Sequence, residues 1–192
     1  MLATEQLDSI TGRGISGLDR DLYHWIVTHR VDQLDGFFVA LTRLGYGGLI
    51  WILIGLGAAL ALRRPAILPL TAVTVWTADL LALGVKAAIG RPRPFVVLPE
   101  PGPLIVGVLG DSFPSGHAAT SFAGAALLSR FLPARWPVLF LLAAGVAFSR
   151  VYVGVHYPAD VVGGAILGTL VAIALRQLAA VPLRSRPEPP PG

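Results

Sequence analysis

Three short polar stretches interrupt an otherwise apolar chain, and each carries residues suited to phosphate chemistry. Their sequences are KAAIGRPRP from residue 86, PSGH from residue 114 and SRVYVGVHYPAD from residue 149. Lys86, Arg93 and Arg150 supply cations, and Lys86 is the single lysine of the chain. A guanidinium can bind two phosphate oxygens at once, and an ammonium adds a compact charge. We expect these cations to bind a phosphate group.

PSGH ends where an apolar run predicts the start of a helix. Backbone N–H groups at a helix N-terminus have no partner within the helix, and the helix dipole favours an anion there. Gly116 also lets the backbone approach a ligand closely. We therefore expect Ser115 and Gly116 to contact the same phosphate.

Two histidines and an aspartate supply the groups needed for phosphoryl transfer. His156 precedes Tyr157 and Pro158, a pair that predicts an extended turn just before a helix. Asp160 can bind one ring nitrogen of His156 and leave the other free to attack phosphorus. His117 stands beside the phosphate-binding residues, where a group that titrates near neutral pH can donate or accept a proton. One histidine would act as nucleophile and the other as general acid.

Each of these features also has a structural interpretation. Arginine and lysine beside membrane helices commonly extend to the interface. A histidine at a helix start is often structural, and PSG can form a plain turn. Two histidines and an aspartate can also bind a metal ion. Because several cations in one site would repel a divalent ion, we expect neither a metal nor a cofactor.

The composition is that of a membrane protein. Of 192 residues, 54% are hydrophobic and 14% are charged, and the mean hydropathy is +0.70; soluble domains carry about 25% charged residues. The net charge is +4, but the basic residues are scattered, so nucleic acid is not an expected partner. The absence of cysteine excludes disulfides and thiolate metal sites.

Hydropathy predicts an all-α, polytopic transmembrane helix bundle of about five spanning helices. The spans are expected at about Leu44–Leu62, Ala66–Ala88, His117–Leu132, Trp136–Ser149 and Asp160–Ala180. We divide the chain into an N-terminal polar and amphipathic segment (1–43), the transmembrane bundle (44–181) and a disordered tail (182–192).

The N-terminal segment predicts one helix outside the spans. Leu18, Leu22, Trp25 and Ile26 recur at helical spacing, which is typical of an amphipathic helix lying in the membrane interface. A soluble helix that caps the bundle is the alternative. Residues 1–17 are polar and lack an apolar core, so we do not expect a cleaved signal peptide.

The distribution of arginine predicts the orientation, because arginine-rich connections stay in the cytoplasm. Arg63 and Arg64 follow the first span, and Arg130 and Arg135 flank the turn between the third and fourth. The N-terminal segment is net acidic and is expected outside. The connections 89–116 and 150–159 then share the outer face, and the C-terminus is cytoplasmic. We expect an integral protein of a bacterial plasma membrane with its active site on the outer face.

The three stretches together resemble the type 2 phosphatidic acid phosphatase family, whose relatives include glucose-6-phosphatase and the vanadium haloperoxidases. The family signature is K-x6-RP, then PSGH, then SR-x5-H-x3-D. Here Lys86 leads over six residues to Arg93, PSGH follows, and the last part runs from Ser149 to Asp160. Every position is matched in order, whereas no motif covers the residues before about Leu44.

The resemblance implies a role for each matched residue. His156 is the nucleophile and forms a phosphohistidine, Asp160 orients it, and His117 protonates the leaving group. The phosphate oxygens are held by Lys86, Arg93, Arg150, Ser115 and Gly116. The reaction requires no metal, and water then releases phosphate from His156.

Three further residues are expected beside this site: Asp79, Arg91 and Ser149. Asp79 precedes Lys86 by seven residues and so lies on nearly the same helix face. A carboxylate inside a membrane marks a functional site by default, but Asp79 is equally suited to a hydrogen bond within the bundle. Gly164 and Gly168 have the GxxxG spacing, which we expect to pack helices within one chain. The oligomeric state stays open.

These features predict an integral-membrane lipid phosphatase whose substrate has its phosphate or diphosphate head at the outer face and its tails in the bilayer. Polyprenyl diphosphate is favoured because the chain is small and has no sizeable extra domain; phosphatidylglycerophosphate and phosphatidate are alternatives. A non-catalytic lipid-phosphate binding or transport protein is the competing class, but binding alone would not need His117, His156 and Asp160. We expect the loop 95–113 to shape the entrance.

Overall fold

The computed structural model describes residues 15–180, and every regular element among them is helical. The α-helices of this range are α1 (Ile15–Thr28), α2 (Asp32–Leu44), α3 (Leu49–Ala61), α4 (Ile67–Ile89), α5 (Pro94–Val97), α6 (Gly116–Leu128), α7 (Trp136–Tyr152) and α8 (Pro158–Ala180). The predicted all-α bundle is confirmed. The predicted tail (182–192) and residues 1–14, for which no signal peptide was expected, lie outside the described residues.

Within the described residues, three helical segments are long and apolar enough to cross a membrane: Ile67–Val97, Pro133–Tyr152 and Pro158–Gln177. A fourth crossing arises if α2 and α3, which meet at 55°, form one bent span. The part of the chain that the structure describes therefore offers fewer spans than the five predicted.

The predicted span at 117–132 is a shorter helix in the centre of the bundle. α6 has 13 residues, which is about 20 Å of helix against a hydrocarbon core of about 30 Å. Ten of these residues are buried, and the helix packs against α4, α7 and α8. Hydropathy does not distinguish a helix surrounded by protein from one surrounded by lipid, because both environments are apolar.

α8 packs closely on α6 through two glycines. A methyl group on Gly164 would lie 2.3 Å from the carbonyl oxygen of Ser115, and one on Gly168 would lie 2.0 Å from that of Ala119. The predicted packing of the GxxxG pair within the chain is therefore confirmed. This contact brings the start of α6 against the start of α8, where two of the polar stretches lie.

α1 has two apolar faces, of which the sequence indicated one. Leu18, Leu22 and Trp25 are exposed, as a helix lying in the membrane interface requires. Tyr23 and Val27 lie on another face and are buried in a cluster with residues of α7 and of the turn before α8. This second face docks α1 onto the bundle.

Candidate active site

The three polar stretches meet at one end of the bundle. The Ser115 N–H donates to the carbonyl oxygen of Asp160 at 2.9 Å. Nη1 of Arg93 donates to the carbonyl oxygen of Val155 at 2.9 Å. Nζ of Lys86 donates to two carbonyl oxygens of the loop before α6, at 2.9 and 3.0 Å. These bonds join the end of α4, the start of α6 and the turn between α7 and α8 into a single polar cluster.

His156 is buried in this cluster, with 2% of its surface exposed. Its Nδ1 lies 3.3 Å from Oδ2 of Asp160, so Nδ1 carries the proton and Nε2 keeps its lone pair. Nε2 lies 3.3 Å from Nη1 of Arg93. Burial, with a smaller contribution from the neighbouring cations, lowers the pKa of His156 to about 3. The ring is therefore neutral at pH 7, and its free nitrogen faces a cation.

Asp160 is completely buried, and both of its oxygens are hydrogen-bonded. Oδ2 accepts from the Tyr157 N–H at 2.8 Å and from the Ser112 hydroxyl, in addition to facing His156. Oδ1 accepts from Nη1 of Arg91 at 2.6 Å. These donors fix the carboxylate, which in turn can hold the imidazole of His156 in one orientation.

The loop before α6 orients two cations with its backbone. Arg93 donates from Nε to the carbonyl oxygen of Gly110 at 2.8 Å and from Nη2 to that of Leu109 at 3.0 Å. Lys86 binds the carbonyl oxygens of the next two residues, 111 and 112. These four consecutive carbonyl dipoles offset part of the cost of burying neighbouring positive charges.

Thr42 of α2 contacts two predicted site residues. Its carbonyl oxygen accepts from Nε2 of His117 at 3.1 Å, and its hydroxyl accepts from Nη1 of Arg150 at 2.6 Å. Nε2 of His117 therefore carries a proton, which leaves Nδ1 for proton exchange. Arg150 is 5% exposed, and its Nε has no hydrogen-bond partner among residues 15–180. Arg150 thus keeps a donor for a ligand.

The start of α6 also lies in the cluster. Ser115 is buried, and its hydroxyl caps the helix by accepting from the Ala118 N–H at 3.4 Å. The other N–H groups of the first turn have no intrahelical partner. Asp79 of α4 lies beside this turn, because a methyl group on Gly116 would come within 2.9 Å of Oδ1 of Asp79. The structure thus places Asp79 next to the predicted phosphate-binding backbone.

Arg91 and Ser149 have different surroundings. Arg91 lies between two carboxylates, Asp160 and Asp19, at 2.6 Å from each. Ser149 is buried, but its hydroxyl donates to the carbonyl oxygen of Val146 within α7 at 2.6 Å. The structure therefore brings Arg91 against the partner of His156, whereas the hydroxyl of Ser149 is engaged in its own helix.

Sequence reasoning missed three residues of the cluster: Asp19, Thr42 and Ser112. Asp19 and Thr42 precede every motif, and they reach the cluster because α1 packs on α7 and α8 and α2 packs on α7. Ser112 stands two residues before PSGH in a loop where serine is common. No local pattern marks any of the three, because their contacts join distant parts of the chain.

The cluster combines an imidazole nitrogen that is free to react with groups suited to binding an anion. A neutral imidazole faces buried cations, a second imidazole has one nitrogen available, and a helix N-terminus adds N–H donors. Such a set can bind a phosphate, attack its phosphorus and protonate the departing oxygen. Histidine and carboxylate side chains of residues 15–180 form no group of three or more that could hold a metal ion.

Comparisons with known proteins find relatives that share sequence with this chain. An undecaprenyl-diphosphatase of Sulfolobus acidocaldarius is 31% identical over 176 residues, which cover 88% of this chain and 82% of the relative. The bacitracin transport permease protein BcrC of Bacillus licheniformis is 40% identical over 81 residues, which cover 42% of this chain and only 40% of that relative.

A solved structure and a family model extend the match to the fold. The transmembrane PAP2-type phosphatidylglycerolphosphate phosphatase of Bacillus subtilis superposes with a TM-score of 0.71 at 25% identity, over 96% of each chain. The model of the PAP2 superfamily matches residues 66–181, a range that contains all three polar stretches. On this match over more than half of its length, the chain belongs to the PAP2 superfamily.

Proposed function

We propose that this membrane lipid phosphatase hydrolyses a polyprenyl diphosphate at the outer face of the membrane, through a phosphohistidine on His156. One observation carries the proposal: a buried, neutral imidazole is held by Asp160 through Nδ1 and presents Nε2 to Arg93. A lipid-binding protein would need the cations but not an oriented nucleophile.

In the first step, Nε2 of His156 attacks the terminal phosphorus, and the bond between phosphorus and the bridging oxygen breaks. Lys86, Arg93 and Arg150 stabilise the charge on the other phosphate oxygens, together with the N–H groups at the start of α6. His117 enters this step protonated on both ring nitrogens: its Nδ1 proton passes to the departing oxygen, while its Nε2–H stays on the carbonyl oxygen of Thr42. The products are a phosphohistidine and the lipid monophosphate.

In the second step, a water molecule attacks the phosphorus while Nδ1 of His117 accepts one of its protons. The bond between phosphorus and Nε2 breaks, inorganic phosphate leaves, and His156 returns to its neutral form. Asp160 holds the Nδ1–H of His156 throughout and stabilises the positive charge that the ring carries while it is phosphorylated. Every proton and bond is accounted for by these residues and water, so no metal enters the sequence.

The choice of a polyprenyl diphosphate rests on a relative and on the loop before α6. The Sulfolobus acidocaldarius relative, which is matched over 88% of this chain, is named an undecaprenyl-diphosphatase. Leu109, whose carbonyl oxygen binds Arg93, is 87% exposed, and Val106 of the same loop is 94% exposed, so an apolar tail can pack against this loop. The Bacillus subtilis structure is a phosphatidylglycerolphosphate phosphatase, which makes that lipid the second candidate.

A substrate panel tests the reaction and the tail. Purified protein in detergent and EDTA would be given undecaprenyl diphosphate, phosphatidylglycerophosphate and phosphatidate, and released phosphate would be measured. We expect the highest kcat/KM for undecaprenyl diphosphate, and we expect vanadate to inhibit. Faster hydrolysis of another lipid would move the substrate assignment to it. Tight binding of these lipids without phosphate release would instead indicate a binding or transport protein.

The proposed orientation, with the site outside and the C-terminus in the cytoplasm of a bacterial cell, can be tested with introduced thiols. The chain has no cysteine, and Val106 and Arg64 are exposed at opposite ends of the bundle. A membrane-impermeant maleimide added to intact cells should label the Val106→Cys variant and leave Arg64→Cys unlabelled. The reverse pattern would invert the topology.

A further inference from the structure

The interfacial helix α1 reaches the active site through one buried carboxylate. Asp19 is 7% exposed, although it lies on the helix that presents Leu18 and Leu22 to the surroundings. Its Oδ2 accepts from Nη2 of Arg91 at 2.6 Å, and its Oδ1 accepts from the Ala159 N–H at 2.7 Å. Asp19 is therefore bonded both to a site cation and to the first turn of α8.

Arg91 connects Asp19 to the partner of the nucleophile. Its Nη1 binds Oδ1 of Asp160 at 2.6 Å, and its guanidinium lies 4.2 Å from the centre of the Tyr157 ring. The other oxygen of Asp160 faces His156 at 3.3 Å. A continuous chain of polar contacts thus runs from Asp19 through Arg91 and Asp160 to His156.

The charges of the residues in this series of contacts indicate how Asp19 can affect His156. Asp19 and Asp160 together outweigh Arg91 by one negative charge, which complements the positive charge of a phosphorylated imidazole. Without Asp19, the cation Arg91 would be balanced by Asp160 alone, and the carboxylate would have less negative charge to offer His156. The turn that carries Asp160 would also lose its bond through the Ala159 N–H.

We infer that Asp19 is a positioning residue for phosphoryl transfer, which acts on His156 through Arg91 and Asp160. This inference rests on the proposed phosphohistidine mechanism. It makes α1 part of the active site, although no motif of the sequence covers this helix. Since Asp19 does not reach the phosphate in this arrangement, its loss should change kcat and leave KM nearly constant.

The test compares Asp19→Asn with Asp21→Asn, a matched change at an exposed position of the same helix. With undecaprenyl diphosphate as substrate, we expect Asp19→Asn to lower kcat about tenfold or more, a typical loss when a group that helps to orient an active side chain is removed. KM should change less than about twofold, because Asp19 does not contact the substrate. Asp21→Asn should match the wild type. An Asp19→Asn variant with wild-type kcat would overturn the inference, whereas an inactive wild type would instead refute the proposed function.

A double-mutant cycle separates this role from a purely structural one. Once Arg91→Gln has removed the cation, Asp19→Asn should lower kcat little further, because Asp19 acts on His156 through Arg91. If the double variant loses kcat by the product of the two single-variant factors, the two residues act independently and the inference is contradicted. If Asp19→Asn does not fold, Asp19→Glu and Asp19→Gln form a pair of equal size that differs in charge. The Glu variant should then be the more active, and equal kcat values for the pair would overturn the inference.

Discussion

The two ends of the bundle both carry arginines beside helix ends, yet the arginines have different surroundings. At the site end, Arg93 and Arg150 are 6% and 5% exposed and are bonded to carbonyl oxygens and a hydroxyl. At the opposite end, Arg63 and Arg64 are exposed and line a cavity of about 340 Å³ with apolar residues such as Phe131. The sequence shows arginine near an apolar helix in both places.

This difference in burial corresponds to two roles of a cation in a membrane protein, one at the interface and one in a binding site. An exposed guanidinium keeps its water and holds a helix end at the interface. A buried one loses that water, which is costly unless partners or an anionic ligand compensate. Buried cations that converge on one imidazole therefore indicate an anion site. The exposed Arg63 and Arg64 need no such site, because arginine beside a membrane helix commonly extends to the interface.

The greatest loss of activity should follow a change at His156, the proposed nucleophile. In His156→Gln, we expect phosphate release from undecaprenyl diphosphate to fall to background, because the variant lacks the nitrogen on which the proposed phosphohistidine forms. His24→Gln, at an exposed position of α1, should retain wild-type turnover. If His156→Gln still releases phosphate, His156 is not the nucleophile, and the argument that the buried arginines mark the active site is weakened.

A somewhat smaller loss is expected from a change at His117, the proposed general acid. His117→Ala should lower kcat/KM for undecaprenyl diphosphate about 100-fold, which is a typical contribution of a positioned proton donor. This ratio reports the first step, in which the leaving group departs, and excludes the hydrolysis of the phosphohistidine that all substrates share. The loss should be much smaller with p-nitrophenyl phosphate, whose leaving group departs without protonation. Comparing the two substrates checks the role directly, and an equal loss on both would contradict it.

Matched substitutions at the two ends test the comparison itself. Arg93→Lys should lower kcat/KM by more than about tenfold, because an ammonium cannot reproduce the forked hydrogen bonds of a guanidinium. Arg64→Lys should leave kcat/KM unchanged, since an exposed cation at the interface needs only its charge. Equal losses in both variants would show that burial does not distinguish the two ends.

Thr42→Val tests the hydrogen-bonding of a buried arginine and should have a smaller effect on activity. The change removes the hydroxyl that binds Arg150 and keeps the carbonyl that binds His117. We expect KM to rise about tenfold, since a hydrogen bond to a charged group contributes about 1.5–3 kcal/mol. Thr71→Val is the control, because that buried hydroxyl donates to the carbonyl of Ile67 within α4. A KM that rises equally in both variants would argue against a role for Thr42.

The smallest change is expected in the titration of His156. Its pKa of about 3 lies below the ordinary 6.5, so the folded protein should keep the ring neutral as the pH falls from 7 to 4. An NMR titration of the labelled histidine side chains in detergent, with the His156 signal assigned from the His156→Gln variant, would measure this. A His156 signal that titrates near pH 6.5 would show that the nucleophile is hydrated like an exposed residue.

The helices were largely predictable from the sequence, but their environments were not. Hydropathy located α4, α7 and α8, because long apolar runs form helices in a membrane bundle. It also predicted a full span at about His117–Leu132, whereas α6 has 13 residues and lies among other helices. For α1, the helical spacing of apolar residues identified the exposed leucines but not the buried Tyr23. The face that packs on the bundle mixes polar and apolar residues and therefore has no simple repeat.

Residue types and their order along the chain were enough to predict the chemistry available, because lysine, arginine and histidine stand at spacings suited to phosphoryl transfer. Which of these groups are buried became clear only from the packing of the helices, which also added Asp19, Thr42 and Ser112 to the cluster. A residue type and its spacing are local properties. Burial and the pairing of charges depend on how distant helices pack, and no short stretch of sequence specifies that.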